Sequence, residues 1–328
     1  MICLICLEEN QKSKFDEYHD NCFRKFFGTI KISPILPFNR KEFFEERSRQ
    51  SSKRIGLSGV QPKLGIKIID DVLETTNLHF THIIKPSPET WPQVAENEHL
   101  TMSISKLMGI DTAEFGLVRF SDGELVYVTK RFDLDGTKKR IHQEDMMQAM
   151  GIHGDLENNA KYESKSYEDV CQFLTRYSSI AVTAKLFERI FFNFMVSNDD
   201  FHLKNISIKY DSRAPGGVTL TPHYDSVNTG IYGIPQRELA CDLFTENNGF
   251  SEAFNTYGFH SRKCFEEFAE KINLSKKVIE KVFKKFEAQG EKIDSLVERS
   301  FLTDERKIKY KKELTDRREK FFLKNAPS

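Results

Sequence analysis

The sequence predicts an α+β fold of two lobes, a small β-rich amino-terminal lobe and a larger, mostly α-helical carboxy-terminal lobe. Alternating apolar residues and a hairpin signal lie in the first 130 residues, whereas apolar residues at helical spacing fill most of the remainder. The length of 328 residues suits about two domains or one two-lobed domain. We expect a Cys/His segment over residues 1–28, the β-rich lobe over 29–130 and the helical lobe over 131–328.

The β-rich lobe is predicted from four segments. Apolar residues alternate over 62–69, which indicates a strand with one buried face. A second strand is predicted over 79–84, ended by a proline. A helix is predicted over 93–108, closed by a glycine. The segment 115–132 is expected to form a hairpin that turns at Asp122-Gly123, because Asp-Gly between β-rich runs is a strong hairpin signal.

The helical lobe is predicted around one buried helix. Residues 181–195 carry two adjacent apolar positions in each helical repeat, as expected for a helix packed into a core. A polar loop follows, and then two short strands over 206–210 and 218–221, separated by a Gly216-Gly217 turn. The last 80 or so residues have the pattern of amphipathic helices whose charged runs face solvent.

The composition is that of a globular protein without an excess of either charge. It has 49 basic and 49 acidic side chains, with 39% hydrophobic and 30% charged residues, which excludes a disordered chain. A balanced charge argues against direct nucleic-acid binding, since a phosphate-binding surface usually leaves an excess of Lys and Arg. No apolar stretch approaches the roughly 18 residues that cross a bilayer, and the start lacks the basic region of a secretory signal. The six cysteines, three clustered and three scattered, suit a reducing compartment, so we expect a cytoplasmic protein with no membrane association.

The most informative segment for chemistry is 198–205, which reads Asn-Asp-Asp-Phe-His-Leu-Lys-Asn. It precedes the second predicted hairpin, and Asp225 follows that hairpin, so Asn205 and Asp225 should lie side by side. Their amide and carboxylate oxygens suit Mg²⁺. Asp200 can then accept a proton from an attacking hydroxyl, a division of labour that protein kinases use, and Lys204 can neutralise charge on the phosphoryl group. Alternatively the segment only caps a turn, because loops rich in Asn and Asp are common.

Two further features favour phosphoryl transfer. Lys85 ends a predicted strand and is followed by a helix bearing Glu96 and Glu98, which is the order of the kinase Lys–Glu ion pair. The sequence Gly56-Leu57-Ser58-Gly59 directly precedes the first strand and could cover phosphates with its backbone N–H groups. A lone strand-terminal lysine is usually a solvated edge residue, and two glycines alone are a weak signal. The order of the features along the chain carries the prediction.

Several motifs with this order make the sequence similar to a known family. They are Ser58-Gly59-Val60-Gln61-Pro62-Lys63, Glu96-Asn97-Glu98, Lys130-Arg131-Phe132-Asp133, His142-Gln143-Glu144-Asp145, the loop 200–205, Asp225 and Glu298-Arg299-Ser300-Phe301-Leu302. Together they resemble the HipA family, bacterial serine/threonine kinases of toxin–antitoxin systems. Only about 50 residues precede the glycine loop, so the chain resembles the compact HipT form, whose missing subdomain is a separate small protein, HipS.

The resemblance implies a protein-kinase-like two-lobed fold that uses ATP and Mg²⁺. Asp200 would be the catalytic base, with Asn205 and Asp225 as the Mg²⁺ ligands. The backbone around Lys130 and Phe132 would form the adenine-binding hinge between the lobes. The residues implied to bind ATP are Gly56, Ser58, Gly59, Lys85, Glu98, Lys130, Phe132 and His202, with Lys204 at the transferring phosphoryl group.

The resemblance also implies regulation, targets and partners. Family members autophosphorylate a serine of the glycine loop, and the compact form carries a Ser-x-Ser pair there. This sequence has Gly56 at the first position, so we hypothesise that Ser58 is the sole loop site, where a phosphate would repel ATP; alternatively Ser58 is only a small residue that fits the loop. The implied targets are aminoacyl-tRNA synthetases, tryptophanyl for the compact form. The implied partners are a HipS-like small protein and a HipB-like DNA-binding antitoxin.

The amino-terminal cysteines predict a possible zinc site. Cys3, Cys6, His19 and Cys22 form two close pairs about a dozen residues apart, which is the spacing of a Cys₃His zinc knuckle. Four protein ligands leave no open position, so such a zinc ion would be structural. Alternatively, the three cysteines are small apolar residues packed on the lobe.

Two other functions remain open at this point. The chain could be a catalytically idle kinase-like scaffold that binds antitoxin or partner proteins, although a scaffold does not need Lys85, Asp200, Asn205 and Asp225 together. The cysteine segment could instead be a nucleic-acid module, which the zero net charge and single Trp disfavour.

Overall fold

The computed structural model describes residues 1–10, 13–52, 61–153, 159–233 and 237–322, and within them the fold is mixed α+β. The amino-terminal half is built around an antiparallel sheet of five strands in the order β2-β1-β3-β5-β4. Its elements are α1 (Asp20–Phe27), α2 (Arg40–Ser52), β1 (Leu64–Ile69), β2 (Val72–Thr75), β3 (His82–Pro86), α3 (Val94–Leu107), β4 (Phe115–Arg119) and β5 (Leu125–Lys130).

The register of the sheet follows from its apolar alternation. Leu64 and Ile66 of β1 are buried, and Leu64 pairs with the buried Ile84 of β3. A side chain at Gly65 would place its Cβ 2.4 Å from the ring of Phe80, so only glycine fits this position of β1. Strand β3 lies in the middle of the sheet, and Lys85 near its end reaches Asp225 in the carboxy-terminal half.

Helix α3 lies between the two hydrophobic cores of the molecule. Ala95 and Met102 pack into the core of the five-stranded sheet, whereas Leu100 and Ile104 pack into the core of the helical half. Because a helix repeats every 3.6 residues, these two sets occupy different faces of α3. The helix is thus held on both sides, which fixes the direction of its polar residues.

The carboxy-terminal half contains a small sheet and most of the helices. Its three strands are antiparallel in the order β6-β7-β8. Its elements are β6 (Gln143–Asp145), α4 (Met146–Ala149), α5 (Ala160–Glu163), α6 (Tyr167–Tyr177), α7 (Ile180–Met195), β7 (Ser207–Tyr210), β8 (Val218–Leu220), α8 (Glu252–Tyr257), α9 (Arg262–Lys271), α10 (Lys276–Glu287), α11 (Gly290–Arg299) and α12 (Asp304–Phe322).

Helix α7 is the centre of the helical half, as its apolar pattern predicts. Phe191 is buried, and its ring lies 4.8 to 5.4 Å from those of Phe265, Phe283 and Phe321, which belong to three different later helices. Burying each such ring contributes about 1.5–3 kcal/mol relative to leaving it exposed. This aromatic cluster gives the loop after α7 a rigid base.

The structure differs from the sequence-based expectation at short or irregular strands. The hairpins at 115–132 and 206–221 and the helices at 93–108 and 181–195 form as predicted. The strand expected over 79–84 begins later, at His82, because His79 has a left-handed φ of 56° that interrupts extended backbone. Strands β2 and β6 were not predicted. Among the described residues no helix is long and apolar enough to cross a membrane.

Candidate active site

Lys85, near the end of β3, is held between two carboxylates from distant parts of the chain. Its Nζ lies 2.7 Å from Oε1 of Glu98 on α3 and 2.8 Å from Oδ1 of Asp225, which follows β8. The side chains of Lys85 and Glu98 are 7% and 0% exposed, whereas that of Asp225 is 30% exposed. Asp225 is therefore the member of this triad that a ligand can reach.

Lys85 and Asp225 stabilise each other's charged forms. Burial acts to lower the pKa of Lys85, but Asp225 and Glu98 outweigh it and hold that pKa above its ordinary value. Burial acts to raise the pKa of Asp225, but Lys85 and Lys63 outweigh it and hold that pKa below its ordinary value. Burial raises the pKa of Glu98, and Lys85 offsets part of the rise. Lys85 is thus a fixed cation and Asp225 a fixed anion at neutral pH.

Asn97 positions helix α3 against the segment that carries Asp225. Its Nδ2 donates to the backbone oxygen of Asn228 over 2.8 Å, and its Oδ1 accepts from the backbone nitrogen of Asn228 over 3.0 Å. Asn97 and Asn228 are both fully buried. Because Asn97 adjoins Glu98, and Asn228 is three residues after Asp225, this paired contact joins the two segments that carry the carboxylates flanking Lys85.

The loop after α7 presents Asp200 and Asn205 together. Nδ2 of Asn205 donates to the backbone oxygen of Asp200 over 2.7 Å, which leaves the amide oxygen of Asn205 as a ligand atom. Oδ1 of Asp200 accepts a hydrogen bond from the hydroxyl of Tyr162 over 2.6 Å and lies 3.5 Å from Nε2 of His202. The Asp200 side chain is 44% exposed, so its second oxygen is accessible. Burial lowers the pKa of His202, against the opposing effect of Asp200.

A buried polar network fixes this loop to α7 and to the segment after β8. Oδ1 of Asn193, on α7, accepts from Nδ2 of Asn198 over 2.6 Å and from Oγ of Ser226 over 2.8 Å. Nδ2 of Asn193 lies 3.2 Å from Nε2 of His223, whose Nδ1 lies 3.0 Å from Oγ of Ser105 on α3. Since all five side chains are buried, losing one partner would leave another buried polar group unpaired.

The hairpin of β7 and β8 brings its two ends together at this loop. The hydroxyl of Tyr224, the neighbour of Asp225, lies 2.6 Å from Oγ of Ser207 and donates to the backbone oxygen of Lys204 over 3.0 Å. Lys204 itself directs Nζ to Oδ2 of Asp145, 3.4 Å away at the start of α4. The residues adjoining Asp225 and Asn205 are thus joined directly.

The part of the sequence that forms this site matches a known protein family. Residues 55–293 match the model of the HipA-like C-terminal domain. The chain belongs to this family. The resemblance drawn from the sequence motifs is therefore confirmed. The HipA-like match begins at residue 55, directly before Gly56, and ends in α11, so it spans every residue of the site just described.

Relatives of this HipA-like chain are named as kinases. A putative kinase of Haemophilus influenzae is 35% identical over 288 residues, which cover 83% of this chain and 82% of the relative. The serine/threonine-protein kinase toxin HipA of Shewanella oneidensis is 28% identical over 211 residues, or 59% of this chain and 47% of that protein. The chain thus spans most of the first relative but about half of the second.

Solved structures share the kinase-like fold. A chain from the complex of Shewanella oneidensis HipA, HipB and operator DNA matches 85% of this chain and 71% of its own length, with a TM-score of 0.65 and 21% identity. The Helicobacter pylori proinflammatory kinase CtkA matches 78% of this chain and 90% of its own length, with a TM-score of 0.52 and 14% identity. The α+β, kinase-like fold predicted from the sequence is confirmed.

The structure locates the remaining predicted residues as follows. Nζ of Lys130 lies 3.2 Å from Oε2 of Glu114, and its backbone nitrogen donates to Glu114 over 2.8 Å. Phe132 follows β5, and its ring lies 5.4 Å from that of Tyr224, which follows β8. Gly56, Ser58 and Gly59 lie outside the described residues, so their predicted roles stay predictions.

Two residues near the site were not identified from the sequence. Burial lowers the pKa of Lys63, against the opposing effect of Asp225. The available signal was the position of Lys63 four residues after Gly59, at the end of the motif that begins with Ser58. Tyr162, the donor to Asp200, precedes it by 38 residues in a short helix without any recognisable motif.

The residues present fit a hard divalent cation. Asn205 has its amide nitrogen occupied by a backbone oxygen, and Asp225 has one carboxylate oxygen occupied by Lys85. Each therefore keeps one oxygen for a metal, and Mg²⁺ prefers a few such oxygens completed by water and phosphate.

Proposed function

We propose that this protein is an ATP- and Mg²⁺-dependent serine/threonine protein kinase of the HipA type. The observation that carries the proposal is the contact of Lys85 with both Glu98 and Asp225. Tyr224, the neighbour of Asp225, is hydrogen-bonded to the loop that presents Asp200 and Asn205. A buried lysine that stays positively charged beside an accessible carboxylate suits the binding of a nucleoside triphosphate together with its metal ion. A scaffold that only binds partners has no need of this buried charge arrangement.

Each residue has a distinct part in the proposed transfer. Lys85 binds the α- and β-phosphates, and Glu98 holds Lys85 in place. Asn205 and Asp225 would hold Mg²⁺, which when bound would neutralise charge on the phosphates. Asp200 takes the proton from a Ser or Thr hydroxyl of the substrate. The hydroxyl oxygen forms a bond to the γ-phosphorus of ATP, and the bond from that phosphorus to the leaving oxygen of ADP breaks.

The activity is tested by transfer of label from γ-labelled ATP. The purified protein is incubated with a bacterial lysate, with Mg²⁺ or with a chelator, and labelled bands are identified and hydrolysed to phosphoamino acids. We expect Mg²⁺-dependent label on phosphoserine or phosphothreonine of a protein substrate. Absence of any transfer to the chain itself or to lysate proteins would favour the idle scaffold instead.

The target and partners are proposed from family resemblance. We propose an aminoacyl-tRNA synthetase, tryptophanyl in the first instance, as the substrate, and a HipB-like or HipS-like protein as the neutralising partner in the cytoplasm. The HipA of Shewanella oneidensis occurs in a complex with HipB and operator DNA, which supports the HipB-like partner. The labelled band in the lysate tests the substrate, and inhibition of labelling by each candidate partner tests neutralisation.

Ser58 is proposed as the autophosphorylation site of the glycine loop. We expect Ser58→Ala to lose the label that the wild type transfers to its own loop, because the phosphate acceptor is gone, while transfer to other proteins continues. The measurement is phosphopeptide mapping after incubation with labelled ATP. Ser48→Ala, at an exposed position of α2, is the control. Phosphate at another residue, with Ser58 unmodified in the wild type, would refute the assignment.

Tyr162 is proposed to position the catalytic base. Its hydroxyl stays protonated, since burial and the charge of Asp200 raise its pKa above the ordinary value, and it orients Oδ1 of Asp200. We expect Tyr162→Phe to lower kcat about tenfold, the value of one hydrogen bond to a charged group, with the KM for ATP unchanged. The control is Tyr177→Phe on α6, where the ring is 50% exposed. A change in the KM for ATP alone would contradict this role.

A further inference from the structure

The four side chains at the amino terminus converge on one point outside the kinase site. The Sγ atoms of Cys3, Cys6 and Cys22 and a ring nitrogen of His19 all lie within 4.8 Å of one another. Nδ1 of His19 lies 3.3 Å from Sγ of Cys6 and 3.8 Å from Sγ of Cys22. All three cysteines are free thiols. We propose that these residues form a structural Zn²⁺ site.

The separations fit tetrahedral zinc. With Zn–S bonds of about 2.3 Å and a Zn–N bond of about 2.1 Å, neighbouring ligand atoms are roughly 3.5–3.8 Å apart. Of the two nitrogen–sulfur distances, 3.3 Å is slightly shorter than that range and 3.8 Å is at its upper limit, so small shifts complete the site. Three thiolates and one imidazole are the soft and borderline ligands that zinc prefers, and four protein ligands close the site to substrate.

The imidazole of His19 is oriented as a ligand. Its Nε2 lies 2.9 Å from the backbone oxygen of Glu9, which can only accept, so Nε2 carries the proton. In the neutral ring the lone pair is then on Nδ1, which faces the sulfur atoms. A metal-bound histidine commonly has its other nitrogen fixed by a backbone carbonyl in this way.

Backbone hydrogen bonds and the start of α1 bring the members of each ligand pair close together. The nitrogen of Cys3 donates to Glu8 over 2.9 Å and the nitrogen of Leu7 to Cys3 over 3.0 Å, so the turn folds Cys6 back beside Cys3. Leu7 adopts a left-handed φ of 60° to make this turn. The second pair flanks the start of α1, where His19 and Cys22 are one helical turn apart.

The proposed site holds the amino-terminal loop against β4, the edge strand of the sheet. The backbone of Leu117, on the edge strand β4, donates to Leu4 over 2.8 Å and accepts from the hydroxyl of Tyr18 over 2.9 Å. These two residues adjoin Cys3 and His19. An uncovered edge strand is prone to pair with other chains, so holding the loop there with zinc protects β4.

The site is tested by metal content and by spectroscopy of the full-length chain. Protein purified without chelators is expected to hold one zinc per chain, measured by elemental analysis. Cys6→Ser and Cys22→Ser are expected to lose it, whereas Cys264→Ala, a buried cysteine of α9, is expected to keep it. Chelator-stripped wild type titrated with Co²⁺ is expected to develop thiolate-to-cobalt charge-transfer absorption, a readout that does not need the serine variants to fold.

Two results would overturn the site. One is a wild type with far less than one zinc per chain that also gives no thiolate absorption with Co²⁺. The other is retention of full zinc by both Cys6→Ser and Cys22→Ser. Because neither readout involves ATP, failure of the zinc site leaves the proposed kinase activity to its own test.

Discussion

Asp225→Asn is expected to lower kcat/KM for phosphoryl transfer by about three orders of magnitude, or about 4 kcal/mol of transition-state stabilisation. The substitution keeps the size of the side chain but removes the charge that we propose for binding Mg²⁺. It also removes the more exposed of the two carboxylates that flank Lys85, 2.8 Å from Nζ. Lys85 keeps its contact with Glu98, so the fold is expected to survive.

Ligand-dependent stability separates this loss from unfolding. The wild type is expected to melt at a higher temperature with Mg²⁺ and ATP, because a ligand that binds only the folded state at 100 times its Kd adds about 2.7 kcal/mol. The Asp225→Asn variant is expected to fold but to lose that increase. Asp211→Asn is the matched control, since Asp211 pairs with Arg213 at the opposite, exposed end of the same hairpin. Normal transfer by Asp225→Asn would remove Asp225 from the metal site.

The parts of the fold with strong local signals could be predicted from the sequence. The Asp122-Gly123 turn and the alternation of β1 specify backbone geometry within a few residues, and the apolar face of α7 repeats over four turns. Strands β2 and β6 gave no such signal. Strand β2 buries only Leu73, and β6 has three half-buried residues, so their strand form depends on pairing with β1 and β7.

Residues of the site could be predicted where their order along the chain is the order found in protein kinases. Lys85 and Glu98 are 13 residues apart and form the predicted ion pair. The contacts that support the site were not predictable in this way. The donation from Tyr162 to Asp200 and the pairing of Asn97 with Asn228 join residues 38 and 131 positions apart, and such side-chain hydrogen bonds leave no periodic pattern. They follow from the packing of helices α5 and α3 against loops from distant parts of the chain, which a single sequence does not reveal.

Asp200→Asn is expected to lower kcat by about 10²- to 10⁴-fold, the range for losing a general base, while leaving ATP binding almost unchanged. The described contacts of the Asp200 side chain are with Tyr162 and His202, not with Lys85. Asparagine still accepts the hydrogen bond from Tyr162 but cannot take the proton of the attacking hydroxyl. At 44% exposure, the side chain is also expected to change the free energy of unfolding little.

The contrast between the two variants assigns the two carboxylates to different steps. The measurement is kcat and the KM for ATP, together with the melting temperature with and without Mg²⁺ and ATP, for Asp200→Asn, Asp225→Asn and the control Asp211→Asn. A base contributes only as the proton moves, so Asp200→Asn should keep the ligand-induced rise in melting temperature that Asp225→Asn loses. If Asp200→Asn instead lost that rise, Asp200 would belong to nucleotide binding, and the proton would need another acceptor.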